Sequence, residues 1–414
     1  MSLQTPSSPN RRLHPNIWYL TIGSFLTDVS SEMLNNLIPL FLYNVLGVQT
    51  SIIGLIDGIA EATASLVKIY SGALSDRLGK RKSLTVFGYA LSTIAKPFLY
   101  FATTWERVLG VRFTDRVGKG IRTAPRDALL AGSAKSDQRG RAFGLHRAGD
   151  TAGAFVGLGI ASLIIWLTQS GAAELTQHTF QTVVLVSIFP AVLAVIVLAI
   201  GVKEVEAARQ GSISQPALTW NALVNRFKAF LASVSKFDRR FLNFLVVVII
   251  FTLGNSSDSF IILLGQNNGL TLLQIMGMLM TFNAVYSILA GPFGSLSDRI
   301  GRRKLMLAGW TVYGLVYLGF ALSKTGAQVW VLFGIYGIYY ALTEGAAKAM
   351  VADFISQEQR GTAYGLFNAA IGIMALPASL IAGILWQTFS PSAPFVLGAS
   401  LSLLAGFLLL TWVK

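Results

Sequence analysis

Six ionisable residues recur every three or four positions in one short stretch: Arg112, Asp115, Arg116, Lys119, Arg122 and Arg126. At about 100° per residue they share one face of a helix, roughly a third of its circumference. Complementary groups stand at helical spacing elsewhere. Asp28 and Glu32 are one turn apart, Asp57 and Glu61 repeat that spacing with Lys68 two turns further on, and His146, Arg147 and Asp150 form a third cluster. In the second half the equivalents are Asp258, Glu344 and Lys348. Groups of this kind can bind a charged solute, pair with one another, or do both in different states. They can also exchange protons, because burial favours a neutral carboxyl whereas a neighbouring cation favours the carboxylate. Asp28 or Glu32 is read as exchanging protons while its basic partner on the 112–126 stripe moves between substrate and carboxylate. The alternative is a static ion-pair network that fixes helix register.

Other chemistries have little support. The chain has no cysteine, so disulfides and thiolate ligands are excluded. There is no phosphate-binding Gly-Lys-Ser/Thr loop, no nucleophile–base set and no cluster with metal-ligand spacing, so neither an enzyme nor a cofactor or metal is expected. Asn35, Asn36, Asn255, Asn283 and Asn368 either line a cavity or hydrogen-bond between helices.

The stripe needs unusual surroundings, because the chain that carries it is very apolar. Hydrophobic residues make up 53% of 414 and charged residues 13%, and mean hydropathy is +0.59. Apolar runs of membrane-crossing length follow one another. They predict twelve spans: Ile17–Leu46, Ile52–Leu74, Leu84–Ala102, Val108–Leu130, Ala142–Leu167, Val183–Ile200, Leu242–Leu264, Leu272–Leu296, Leu305–Leu322, Val329–Ala349, Ala363–Trp386 and Phe395–Val413. The expected class is an all-α polytopic membrane protein. A charged side chain at mid-bilayer costs at least ~2.5–3.5 kcal/mol, so the stripe must face protein or a wet cavity.

Outside the stripe, most of the basic residues behind the net charge of +14 fall at one set of alternate helix ends, which argues against nucleic acid as a partner. Arg77, Lys80, Arg81, Lys82, Arg139, Arg141, Arg299, Arg302, Arg303, Lys304 and their like crowd one side, and the other offers Arg107 and Lys324. By the positive-inside rule both termini are expected in the cytoplasm, with the protein multi-pass in a bacterial cytoplasmic (inner) membrane. No cleavable signal is expected in the polar tail 1–16. Residues 203–238 read as a cytoplasmic connector. Its Trp220, Leu223, Val224, Phe227, Phe230, Leu231, Val234 and Phe237 would form the apolar face of an amphipathic helix. Six-helix bundles over 17–202 and 239–414 flank it.

Those bundles are repeats. Gly72-Ala-Leu-Ser-Asp76-Arg77-Leu-Gly79-Lys80-Arg81-Lys82 recurs as Gly294-Ser-Leu-Ser-Asp298-Arg299-Ile-Gly301-Arg302-Arg303-Lys304. Ser30-Ser31-Glu32 matches Ser256-Ser257-Asp258, and Gln138-Arg139-Gly140 matches Gln359-Arg360-Gly361, in the same order. Gly72 and Gly294 would let a neighbouring helix approach, and Asp76 and Asp298 would accept from the N-terminus of a facing helix. This is a gating role; fixing topology alone is the alternative.

The paired Gly-x-x-x-Asp-Arg-x-Gly-(Arg/Lys)-(Arg/Lys) loops resemble the signature of the major facilitator superfamily. The bacterial drug and metabolite proton-antiporter efflux branch is the most similar. Arg116-Val-Gly-Lys119-Gly120-Ile-Arg122-Thr-Ala124 resembles that branch's fourth-helix motif, with Lys119 for Gln and Arg122 for Gly. Gly149-Asp150-Thr-Ala-Gly153 resembles its fifth-helix antiporter motif, with Asp150 for Pro and Ala154 for the second Gly of the final pair. The resemblance implies alternating access by two pseudo-symmetric six-helix bundles. Helices 1, 4, 7 and 10 would line the cavity, 2, 5, 8 and 11 would form the moving interface, and 3, 6, 9 and 12 would face lipid.

The expected function is therefore secondary active transport of a small organic, anionic or zwitterionic, solute, with protons as the coupling ion and export as the direction. The protein is expected to act as a monomer. Import of an organic anion by symport or uniport, and lipid flipping on the same scaffold, are the alternatives. Asp28, Glu32, Arg112, Asp115, Arg116, Lys119, Arg122, Asp258 and Glu344 are the candidates for substrate and proton binding. Gly72, Asp76, Arg77, Arg126, Arg147, Asp150, Asp298 and Arg299 are the candidates for gating.

Overall fold

Helices form wherever the sequence offers an apolar run between turn signals. The computed structural model describes residues 13–135, 138–205, 237–355 and 359–413. The first half comprises α1 (Pro15–Asn35, continued by Ile38–Leu40 and a π-helical Phe41–Val45), α2 (Thr50–Leu78), α3 (Arg81–Ala95, prolonged by a 3-10 turn Lys96–Phe101), α4 (Trp105–Ser133), α5 (Arg139–Gln169) and α6 (Gln177–Gly201). The second half comprises α7 in two pieces (Arg239–Gly254 and Ser259–Asn267), α8 (Leu272–Ile300), α9 (Arg302–Leu322), α10 (Gly326–Phe354), α11 (Arg360–Thr388) and α12 (Ala393–Trp412). The expected connector helix lies in 206–236, outside the described residues.

Local chemistry sets the boundaries. Gly79 and Gly301 of the repeated loops have φ of 62° and 95°, a region that favours glycine, and they close α2 and α8. Thr271 with Gln274, and Thr325 with Gln328, form capping boxes that start α8 and α10. Glu204, just beyond α6, accepts from the backbone N–H groups of Arg81 and Lys82 at 3.0 and 2.9 Å. A carboxylate thus caps the N-terminus of α3, where the helix dipole favours an anion.

Packing repeats between the halves. α1 lies on α5 and α6, as α7 lies on α11 and α12; α2 and α3 lie on α4, as α8 and α9 lie on α10. The fold is therefore two related six-helix bundles. By length and composition α5, α6, α7, α8, α9, α11 and α12 can each cross a membrane on their own. The remaining helices carry polar faces that packing must shelter.

The halves meet through α2 on α11 and α5 on α8. The closest approach is away from the basic loops. A Cβ at Gly54 would lie 2.1 Å from the Ser379 carbonyl, one at Gly58 2.6 Å from the Leu376 Cα, and one at Gly383 2.4 Å from the Thr50 carbonyl. Toward the basic loops, a Cβ at Gly144, Gly291, Gly294 or Gly365 would meet nothing within 4 Å, and Phe143, Arg147 and Ile288 are exposed. The molecule is thus sealed at the far end and open at the end that bears the repeated loops.

Candidate functional site

The ionisable stripe of α4 turns inward. Arg112, Arg116 and Arg122 are buried, at 6–7% exposure. Arg112 donates to Asp57 of α2 and to Asn35 of α1, each at 2.8 Å. Arg116 stands 3.5 Å from Glu61 of α2 and 4.0 Å from its own neighbour Asp115. Arg122 donates to Ser92 of α3 at 2.9 Å and lies over the Tyr89 ring, 4.4 Å from its centroid. Arg126 donates to Asp127 at 2.9 and 3.1 Å and to Ser24 of α1 at 3.3 Å. Lys119 is exposed, and Arg116, Glu61, Arg122 and Asp28 are its charged neighbours.

This pairing differs from the expected one. Among the described residues the direct ionic partners of α4 on another helix come from α2, not from Asp28 and Glu32 of α1. Asp28 and Glu32 are half-buried. Glu32 accepts from the Asn36 side chain at 3.0 Å, and Asp28 has Asp150, Glu32, Arg122 and Lys119 around it. The reason is geometric: α2 packs along α4 far more extensively than α1 does, so its carboxylates at 57 and 61 reach the stripe first. Asp57 is the residue that sequence reasoning undervalued. Its other oxygen accepts from Ser257 at 2.8 Å and Ser259 at 2.5 Å, both beside the break in α7. One carboxylate therefore joins α2, α4 and α7, and so both halves.

Lys96 is the second revision. A helix expected to face lipid carries a lysine at 5% exposure, whose ammonium donates to Ser30 and Ser31 of α1 at 2.5 and 3.2 Å. The signal was in the sequence: a lone cation in an otherwise apolar segment must turn inward. α9 likewise buries Tyr313 and Tyr317 fully, so it too contributes to the core.

On α5, His146 Nδ1 is 3.4 Å from Asp150, while Arg147 reaches across to the second half. It donates to the Tyr286 hydroxyl of α8 at 2.6 Å and to Glu344 of α10 at 3.3 Å. Tyr286 also donates to Glu344, and Lys348 donates to Glu344 at 3.2 Å. Tyr286, Tyr340, Glu344 and Lys348 line a cavity of about 190 Å³ on the open side.

In the second half Asp258 occupies the break in α7 and is half-buried. Tyr336 of α10 donates to it at 3.1 Å. Of the gating candidates in the loops, a Cβ at Gly72 would find only Ala124 of α4, at 3.4 Å. α4 thus lies beside Gly72, whereas a Cβ at Gly294 would meet nothing within 4 Å in this state. Arg299 is exposed, and the side chains of Asp76, Arg77 and Asp298 lie outside the described set.

An all-helical polytopic protein of two six-helix bundles, with ionisable groups gathered along an internal passage, is a membrane transporter. The chain belongs to the Major Facilitator Superfamily, whose family profile matches residues 20–264 and 242–414. It is 35% identical over 415 aligned positions to an uncharacterised MFS-type transporter of Methanocaldococcus jannaschii, covering 99% of this chain and 98% of the relative. It is 34% identical over 130 residues to the class C tetracycline resistance protein of Escherichia coli, 30% of this chain and 32% of that one. Among solved structures, a mutant of the nucleoside transporter NupG superposes with a TM-score of 0.78 at 14% identity, covering 96% of this chain and 100% of that chain. At that identity the likeness concerns the fold. The protein is accordingly a transporter of a small solute and not an enzyme.

Proposed function

We propose that the protein exports a small organic solute in exchange for protons, in the manner of the drug and metabolite efflux branch. It would act as a monomer in the cytoplasmic (inner) membrane, with the basic loops and both termini on the cytoplasmic side. The observation that carries this reading is the set of ionisable groups on the passage: Glu61 with Arg116 and Asp115, the exposed Lys119, and the half-buried Asp28 and Glu32. A carboxylate whose cationic neighbour can be drawn off by a solute is a route to coupling. The partial likeness to a tetracycline resistance protein favours export.

The packing supports alternating access as the transport motion. Parting α2 from α11 at the far end, while the loop ends of α5, α8 and α11 close, would expose the same groups to the other side. Gating is the role we assign to Asp76, Arg77, Asp298 and Arg299 of the repeated loops, together with Gly72. Arg147 bridges to the second half through Tyr286 and Glu344, and Arg126 and Asp150, held by Ser24 and His146 within the first half, would move with it. Import of an organic anion is the second reading, and the specific observation in its favour is Lys119, a cation open to the passage.

The test uses purified protein in vesicles that enclose a pH-sensitive dye. Compounds from a toxic-solute panel are added with and without an imposed pH gradient. Proton movement opposite to an exported compound is expected, and its loss when Asp28→Asn and Glu32→Gln are combined. Gradient-driven transport that survives the double variant would remove those two carboxylates from the coupling step. Solute counterflow indifferent to the gradient would remove coupling altogether.

A further inference from the structure

The two halves of the passage are chemically unlike. On the α4 side every buried arginine has a partner among the described residues, whether carboxylate, amide or hydroxyl, so positive charge there is largely satisfied. On the other side Asp258 makes no ion pair among the described residues. Among the described residues its one direct side-chain donor is the neutral Tyr336 hydroxyl. The charged groups that face it are Asp57 and Glu61 of α2, both acidic, with Arg112 turned toward Asp57.

Around Asp258 stand rings. Tyr336 of α10, which donates to it, has Tyr313 and Tyr317 of α9 and Tyr339 and Tyr340 of its own helix packed around it, with ring centroids 5.3–5.9 Å away. Phe282 of α8 closes the wall, 5.8 Å from Tyr336 and 5.4 Å from Tyr340 between centroids. The Tyr317 hydroxyl is fully buried without a well-formed hydrogen bond, with Tyr313, Tyr336 and Ser256 its polar neighbours. Its lone pairs remain able to accept. α10 extends this environment to the opening. Tyr336, Tyr340, Glu344 and Lys348 follow at i+4 intervals on one face, and the last three line the cavity on the open side.

A half-buried carboxylate in an apolar, aromatic site is costly until a positive charge joins it. Aromatic faces attract cations, most strongly where water is excluded. We propose that Asp258 is the solute-binding carboxylate of the second half and that the solute is an organic cation, an amine or quaternary ammonium. Its charged head sits against Asp258, its apolar part lies on the half-buried rings of Phe282 and Tyr340 in front of the fully buried Tyr336, and Glu344 stands at the entrance. The carboxylate holds either this cation or a proton, not both. Competition for one group ties solute binding to proton release at Asp258, beside the exchange proposed for Asp28 and Glu32. The inference rests on the transport reading above and names its substrate class.

The test is calorimetric titration of the full-length protein in detergent with tetramethylammonium, benzyltrimethylammonium and tetraphenylphosphonium. Tetraphenylborate serves as an anion of the last one's shape. At least one cation is expected to bind, with proton release seen as a dependence of the heat on buffer ionisation. Acidification should weaken that binding, and Asp258→Asn should weaken it roughly tenfold or more and abolish the proton release. Glu344→Gln, at the entrance, should change affinity less. Binding by none of the cations, tighter binding of tetraphenylborate, or cation binding without proton release in the wild-type protein would each overturn the proposal. The wild-type measurements decide the matter even where the Asp258 variant fails to fold. Gradient-driven flux in the vesicle assay scores the transport reading separately: flux without cation binding sinks this inference alone, and cation binding without gradient-dependent flux sinks proton coupling alone.

Discussion

Asp57 of α2 and Ser259 of α7 meet at 2.5 Å across the two halves of the molecule, while the same carboxylate holds Arg112 of α4 at 2.8 Å. A buried acid thus stitches the sealed end through a charge-assisted bond on one side and two serine hydroxyls on the other. Breaking it should favour the state open at the far end. The chain contains no cysteine, so a single introduced thiol reports cleanly. Ser379 of α11, at 4% exposure, borders the seam and accepts from the Ser257 N–H at 3.2 Å. Ser379→Cys is expected to label slowly with a maleimide, and several-fold faster when Asp57→Ala is added. Equal rates would mean that Asp57 does not hold the seam.

Arg112 and Asp57 should also show the asymmetry of buried ion pairs. Removing one partner strands the other, at a cost of about 3–5 kcal/mol, whereas replacing both with neutral groups of similar size can cost little. Arg112→Met is therefore expected to lower the melting temperature markedly, and Arg112→Met with Asp57→Asn to recover most of the loss. Thermal unfolding in detergent, followed by tryptophan fluorescence, makes the comparison. A double variant as unstable as the single one would show that Arg112 acts through Asn35 instead.

The helical layout was legible because apolar runs and the twin glycine-rich loops report directly on bilayer thickness and repeat structure. The α4 stripe was legible for a related reason: charge cannot face lipid. Which carboxylate meets which arginine was not, since that depends on helix rotation and on α2 lying closer to α4 than α1 does. Asp57 and Lys96 belong to that class. The break in α7 escaped as well. It contains no proline, and its residues Asn255, Ser256, Ser257 and Asp258 read in sequence as a polar patch on a continuous helix. The matching motif Ser30-Ser31-Glu32 sits near a comparable disturbance, where α1 stops at Asn35 before resuming at Ile38. Paired interruptions of this kind in the two halves of a transporter mark its central site.

Tyr336 offers a finer test of the aromatic site. Its hydroxyl donates to the Asp258 carboxylate, a charge-assisted bond worth about 1.5–3 kcal/mol, while its ring belongs to the wall. Tyr336→Phe keeps the wall and frees the carboxylate of a competing donor, so cation binding should be no more than roughly fivefold weaker than in wild type. Tyr336→Ala removes the ring and should lose distinctly more. Equal losses would assign the residue's effect to its hydroxyl rather than to its face.

The glycines of α2 and α11 make the alternating motion testable by steric means. Leucine at Gly54 or Gly58 has nowhere to go while α11 is seated, because its Cβ would meet the backbone at Ser379 or Leu376. Backbone atoms cannot turn aside as a flexible side chain can. These variants should therefore hold the far end apart, and a disulfide engineered between Ser51→Cys and Gln387→Cys, whose native side chains bond at 2.9 Å, should form poorly in them. Leucine at Gly144 or Gly365 meets nothing in the present state, yet would obstruct closure of the loop end. Those variants should form the same far-end disulfide at least as readily as the parent, while losing transport. Opposite effects on one crosslink, with transport lost in both sets, are what two bundles rocking about a central site require; a common effect would mean that the seam does not open.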